Sequence, residues 1–159
     1  MSLETLHAIG IQDSLSSTAD ALLSEIACLV QHDSGVTLFR EGENHLSLYW
    51  IKTGRIRLEM SRKHSGSTAV LTVGEGDLLA WSALLGDGRM TATAVTMSPT
   101  SLLAFDAFKL RDVCDQNHDI GYLVMRNIAR LISKRLVATR LQLLDLFDDG
   151  TPNVGGFRS

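Results

Sequence analysis

Five histidines, two cysteines and a scatter of Asp, Ser, Thr and Arg side chains are the groups that could do chemistry in this chain, and their spacing argues for binding rather than catalysis. His7, His32, His45, His64 and His118 stand singly. A metal enzyme built on a β-roll would need a His-x-His pair with a carboxylate and a further His, and no such set occurs. Cys28 and Cys114 lie far apart and match no metal or redox spacing. They are expected to be reduced, buried core thiols. No nucleophile-elbow or phosphate-loop motif is present, and Gly74-x-Gly76-x-x-Leu79 fails the dinucleotide fingerprint at its third position. Neither an enzyme nor a resident metal is expected. The informative stretch runs from Gly76 to Val95. It holds Trp81, which can stack on a ring or plug a pocket, together with Ser82, Arg89 and Thr91.

These residues must be positioned by one domain. The chain has 159 residues, a formal charge of −3, 45% hydrophobic residues and 21% charged residues. That composition excludes global disorder and allows a sizeable core. The longest near-apolar run, Leu78 to Leu85, already contains Ser82, far short of the about 20 residues a spanning helix needs. Glu4 and His7 interrupt any signal-like segment, so a cytoplasmic protein is expected. The mild acidity does not suggest nucleic acid as the default partner.

Periodicity orders the elements. Residues 1–13 have no clear pattern. Ser16, Ser17 and Thr18 offer N-cap hydroxyls for a helix carrying Leu22, Leu23, Ile26, Leu29 and Val30 and ending near Gln31. Short strands follow at 36–39, 48–51, 55–61, 69–73, 91–97 and 102–105, with a hairpin loop at 63–66. Such spacing predicts an antiparallel sandwich or barrel. Asp106 can cap a short helix carrying Phe108, Leu110 and Val113. After Asn117-His118-Asp119 a long helix is predicted from about Ile120 to Phe147. Ile120, Val124, Ile128, Leu131, Ile132, Leu136, Leu143 and Leu146 share one half of its surface, while Val137, Leu141 and Leu144 lie opposite. One face can cover the β-core. The other calls for a second partner, most simply the same helix of another chain. Its basic residues (Arg126, Arg130, Lys134, Arg135, Arg140) read as a solvated face or as a site for an acidic protein. Residues 148–159 are expected to be a disordered tail.

This order, with Phe39-Arg40-Glu41-Gly42-Glu43, the Leu48 to Ile56 hairpin, Gly76-Asp77 and Lys134-Arg135-Leu136 with Thr139, resembles the cyclic-nucleotide-binding domain of catabolite activator and Fnr-type regulators. The resemblance covers about Ser14 to Phe147. It implies a mainly β fold with flanking helices, an antiparallel double-stranded β-helix (jelly-roll) followed by a long C-terminal dimerisation helix. It also implies a phosphate cassette at Ala80, Trp81, Ser82, Ala83, Arg89, Thr91 and Ala92, with Thr139 and Arg140 near the base. The ligand it suggests is cAMP or cGMP. The chain departs from the pattern at two key places. Trp81 stands where the ribose-binding Glu is expected, and Met90 where the phosphate-binding Arg is expected, with Arg89 one residue away. Ala80 replaces a Gly. In a strand a one-residue shift sends a side chain to the other face. Each lost charge-assisted hydrogen bond lowers affinity roughly ten- to hundred-fold.

Two functions are therefore expected to compete. One is a sensor that binds a cyclic nucleotide or related anion and signals through its dimer helix. The other is a dimeric interaction module that has lost the ligand. Only twelve residues follow Phe147, too few for a helix-turn-helix. Direct DNA binding is not expected, and a separate, unidentified protein partner is.

Overall fold

A computed structural model describes residues 17–148 except 63, 65 and 67. Helix α1 (Ser17–Ile26) runs without a loop into strand β1 (Ala27–His32). Strands β2 (Thr37–Phe39), β3 (Ser47–Thr53), β4 (Ile56–Ser61), β5 (Thr68–Val73) and β6 (Leu78–Leu79) follow. A four-residue helix, α2 (Ser82–Leu85), precedes β7 (Thr93–Thr96) and β8 (Thr100–Asp106). The chain then turns into α3 (Ala107–Gln116) and the long α4 (His118–Asp148). The strands form two antiparallel four-stranded sheets, ordered β1-β8-β3-β6 and β2-β7-β4-β5. The result is a jelly-roll with helices packed on one side.

Strand alternation divides the core in two. Along β3 and β8, Leu48, Trp50, Leu103 and Phe105 point towards the helices, whereas Ile51 and Leu102 point into the roll. The roll interior is closed by Phe39, Ile56, Leu58, Leu79, Met90 and Ala94. On the helical side, Leu23, Leu110, Val124 and Ile128 are buried. The Trp50 ring meets Phe105 edge-on, with centroids 5.2 Å apart. Its Nε1–H donates to Oδ1 of buried Asn127 on α4 at 3.1 Å, so the long helix is keyed to the sheet by a polar contact as well as by burial.

Several expectations change. Leu29 and Val30 are not helical: α1 ends at Ile26, and β1 pairs with β8 from Ala27↔Phe105 to His32↔Thr100. The free edge of β8 supplies a backbone hydrogen-bond ladder that outweighs continuation of the helix. In that strand Cys28 faces outward and is exposed, while Cys114 is buried, so only one of the two thiols is a core residue. A strand at 78–79 was not expected. Of the hydroxyls offered as N-caps, Ser16 lies outside the described residues, as do 1–13 and 149–159, while Ser17 and Thr18 fall within the first turn of α1. Asp106 does cap α3, its Oδ1 accepting from the Lys109 N–H at 3.0 Å.

Gly54 is required by geometry as well as by backbone angle. Its φ is +99°, and a Cβ there would lie 2.7 Å from the Pro99 carbonyl oxygen and 2.9 Å from the Thr100 Cα. On α4, Ile120, Val124 and Ile128 are buried, but Leu136 and Leu143, expected to cover the β-core, are exposed alongside Val137, Leu141 and Leu144. The helix outruns the roll, and its last described turns keep apolar residues in solvent. Among the described residues, no helix is long and apolar enough to cross a membrane.

Candidate functional site

The site is set by the turn ahead of β6. The Gly74 N–H donates to Asp77 Oδ2 at 2.9 Å, the Gly76 N–H to the Ile51 carbonyl at 2.8 Å, and the Ile51 N–H to the Asp77 carbonyl at 2.9 Å. These bonds pin β6 beside β3. At its end Ala80 adopts φ 61°, the left-handed region that side chains other than Gly enter at a cost. That angle turns the chain into α2, where the Ala83 N–H bonds the Ala80 carbonyl and the Leu84 N–H the Trp81 carbonyl, both at 3.0 Å. The Ser82 carbonyl then accepts from the N–H groups of Gly86 and Gly88 at 3.0 Å, closing the loop on itself.

Two adjoining cavities lie between the mouth of the roll and α4. The inner one is about 20 Å³, with room for about one water, and is walled by Phe39, Leu58, Leu79, Ala80, Ser82 and Met90. The outer one is about 260 Å³ and reaches Met60, Leu71, Ile132, Leu136 and Thr139. Leu58, Trp81, Thr91, Ala92 and Arg135 line both. Among the described residues, no Asp or Glu side chain lines either of them.

Of the expected site residues, the fold brings together Ala80, Trp81, Ser82, Thr91, Ala92 and Thr139. Ala83 instead packs in the helical core beneath α2. Arg140 is exposed and lines neither cavity. Met90 is 3% exposed and plugs the roll, whereas Arg89 points to solvent. Asn44 and Arg89 form a β-bridge, and the Arg89 N–H donates to Asp87 Oδ1 at 3.0 Å. The alternation of side chains thus puts the methionine inside and the arginine outside.

Among the described residues, the cation that does line the cavities is Arg135, a residue that sequence reasoning did not place in the site. Its Nη2 donates to the Leu78 carbonyl, and its guanidinium carbon lies 5.0 Å from the Trp81 ring centroid. Its Nη1 is buried without a hydrogen-bond partner. Burial pulls the guanidinium pKa below its ordinary value, and Asp77 partly opposes that shift. The available signal was spacing, since Arg135 and Thr139 are one helical turn apart and share a face. The Thr139 hydroxyl donates to the Arg135 carbonyl at 2.9 Å. Next to the inner wall, the His45 ring lies 5.5 Å from Phe39 and hydrogen-bonds the Tyr49 hydroxyl at 2.6 Å. The chemistry available is therefore recognition by one cation, hydroxyls and an aromatic face.

Comparison with known proteins agrees with this architecture. The family described as cyclic nucleotide-binding domain matches residues 29–117. A "CRP-like cAMP-activated global transcriptional regulator" of Mycobacterium tuberculosis is 28% identical over 150 residues, covering 94% of this chain and 65% of that protein. "Lysophospholipase nte1" of Neurospora crassa is 27% identical over 100 residues, 63% of this chain and 7% of that protein. The chain thus spans less than two thirds of either relative. The crystal structure of a cyclic nucleotide-binding domain from Methylobacillus flagellatus superposes with a TM-score of 0.79 at 17% identity, covering 89% of this chain and 82% of that one, and so shares the fold. With its jelly-roll, the turn before β6 and the long closing helix, this chain belongs to the cyclic nucleotide-binding domain family.

Proposed function

We propose that this domain is a regulatory sensor. A cyclic nucleotide, cAMP or cGMP, or a related anion enters the cavity between the roll and α4, and the signal leaves through α4. The observation that carries this reading is the double role of α4, which supplies Arg135 and Thr139 to the cavity and exposes Leu141 and Leu144 beyond it. A second copy packed on that exposed face would feel any ligand-driven shift of the helix, provided the ligand favours one arrangement. We place the protein in the cytoplasm, acting as a homodimer on a further protein, and without enzymatic activity. Isothermal titration calorimetry with cAMP and cGMP tests the ligand. Binding is expected to be weak, since neither Trp81 nor Met90 offers a charge-assisted hydrogen bond. No heat with either nucleotide would overturn the cyclic-nucleotide form of the reading.

A second reading, a dimeric interaction module without a ligand, is favoured by one observation. Trp81 and Met90 fill the inner cavity down to about 20 Å³. In that case the roll serves only to hold α4.

A further inference from the structure

The cavity contains one feature that core packing does not account for. Arg135 lines both compartments, yet its Nη1 is buried and makes no hydrogen bond. A buried guanidinium nitrogen without an acceptor is costly, and the cost is relieved by any acceptor that enters. Among the described residues, no carboxylate lines the cavity to fill that role from within. The guanidinium rests on Trp81, so its fork is held at the boundary of the two compartments. Around it the walls are largely apolar, with Leu58, Met60, Leu71 and Ile132, relieved by the hydroxyls of Thr91 and Thr139.

Resting on the ligand-binding reading above, we infer that Arg135, and not Arg89, is the residue that recognises the ligand's charge, and that the ligand is an amphipathic anion. Its head is a phosphate, sulfonate or carboxylate that takes the bond Nη1 lacks. Its body is an aromatic or apolar group lying against Trp81 and the Leu58–Ile132 wall. Because Arg135 stands on α4, the anion bears directly on the helix and needs no intermediary in the roll. A polar, diol-bearing body gains little here, since among the described residues no carboxylate lines the cavity to accept from it.

Two probes test this. Binding of cAMP is followed by calorimetry, and binding of anilinonaphthalene sulfonate by its fluorescence. Both are applied to the unmodified protein and to Arg135→Gln, Arg135→Lys and Arg89→Gln, each checked for a native circular dichroism spectrum. At least one probe is expected to saturate at one site per chain. Arg135→Gln should weaken it about ten-fold or more, and Arg89→Gln should leave it unchanged. Should Arg135→Gln fail to fold, Arg135→Lys decides. It keeps the charge but not the fork, and is expected to weaken binding about three-fold or more. Unchanged affinity in a folded Arg135 variant, as binding to the exposed face of α4 would give, overturns the inference, and so does a failure of both probes. Sulfonate bound through Arg135 with no cAMP binding would remove the nucleotide reading alone. cAMP bound in a manner sensitive only to Arg89 would remove the present inference alone.

Discussion

The guanidinium of Arg135 lies 5.0 Å from the ring centroid of Trp81, joining the middle of the long helix to the loop that opens the β-roll. A cation held over an aromatic face contributes about 0.5–2 kcal/mol, more as water is excluded. A double-mutant cycle with Trp81→Leu and Arg135→Gln, read by urea unfolding, is expected to give a coupling of about 1 kcal/mol. Strictly additive losses would show that the stack does not help to hold the helix.

Two glycines of similar backbone angle separate strain from collision. Gly54 and Gly76 have φ of +99° and +84°, but a Cβ meets backbone atoms within 3 Å only at Gly54 and nothing within 4 Å at Gly76. Gly76→Ala is expected to cost about 1 kcal/mol from the left-handed conformation. Gly54→Ala is expected to cost more than about 2 kcal/mol, because strand ends must also move apart. Thermal unfolding of the two variants checks the order, and equal losses would contradict it.

His45 gives the fold a pH dependence of known sign. Burial lowers its pKa below the ordinary value of 6.5, and Glu43 opposes this less strongly. The folded state therefore binds fewer protons than the unfolded state just below pH 6.5, and stability rises with pH there. This contribution is complete above the unfolded value and declines as the pH falls through it. Denaturant unfolding between about pH 7 and pH 5.5 should show a shallower decline in His45→Gln than in the parent. An identical slope would mean that another group carries the dependence.

The end of α4 should set the oligomeric state. Leu141 and Leu144 are 57% and 59% exposed, a large apolar allowance for a helix in water. Sedimentation at micromolar concentration is expected to show a dimer. Replacing both with Asp should give a monomer whose helical content is retained in the part packed on the roll. A monomeric parent protein would count against the dimer.

Much of this architecture is legible in the residues. Period-two alternation located most of the strands and Asp106 marked the start of α3, whereas Arg89, expected in the cassette, proved to face solvent while Met90 is buried. The limits were equally local. Leu29 and Val30 fit a helix as well as a strand, and only the open edge of β8 decided between them, because a backbone ladder depends on a partner about 70 residues away. Cys28 was misjudged for the same reason, since the strand turns it outward. Arg135 was readable as a basic residue on a solvated helix. It became a candidate site residue only when α4 was laid across β6, where the guanidinium meets the Leu78 carbonyl and Trp81. Sequence alone determined most of the elements and the family resemblance, since both rest on patterns within short windows. Tertiary structure decided which cation faces the cavity, because a side chain's environment is set by what the fold packs against it.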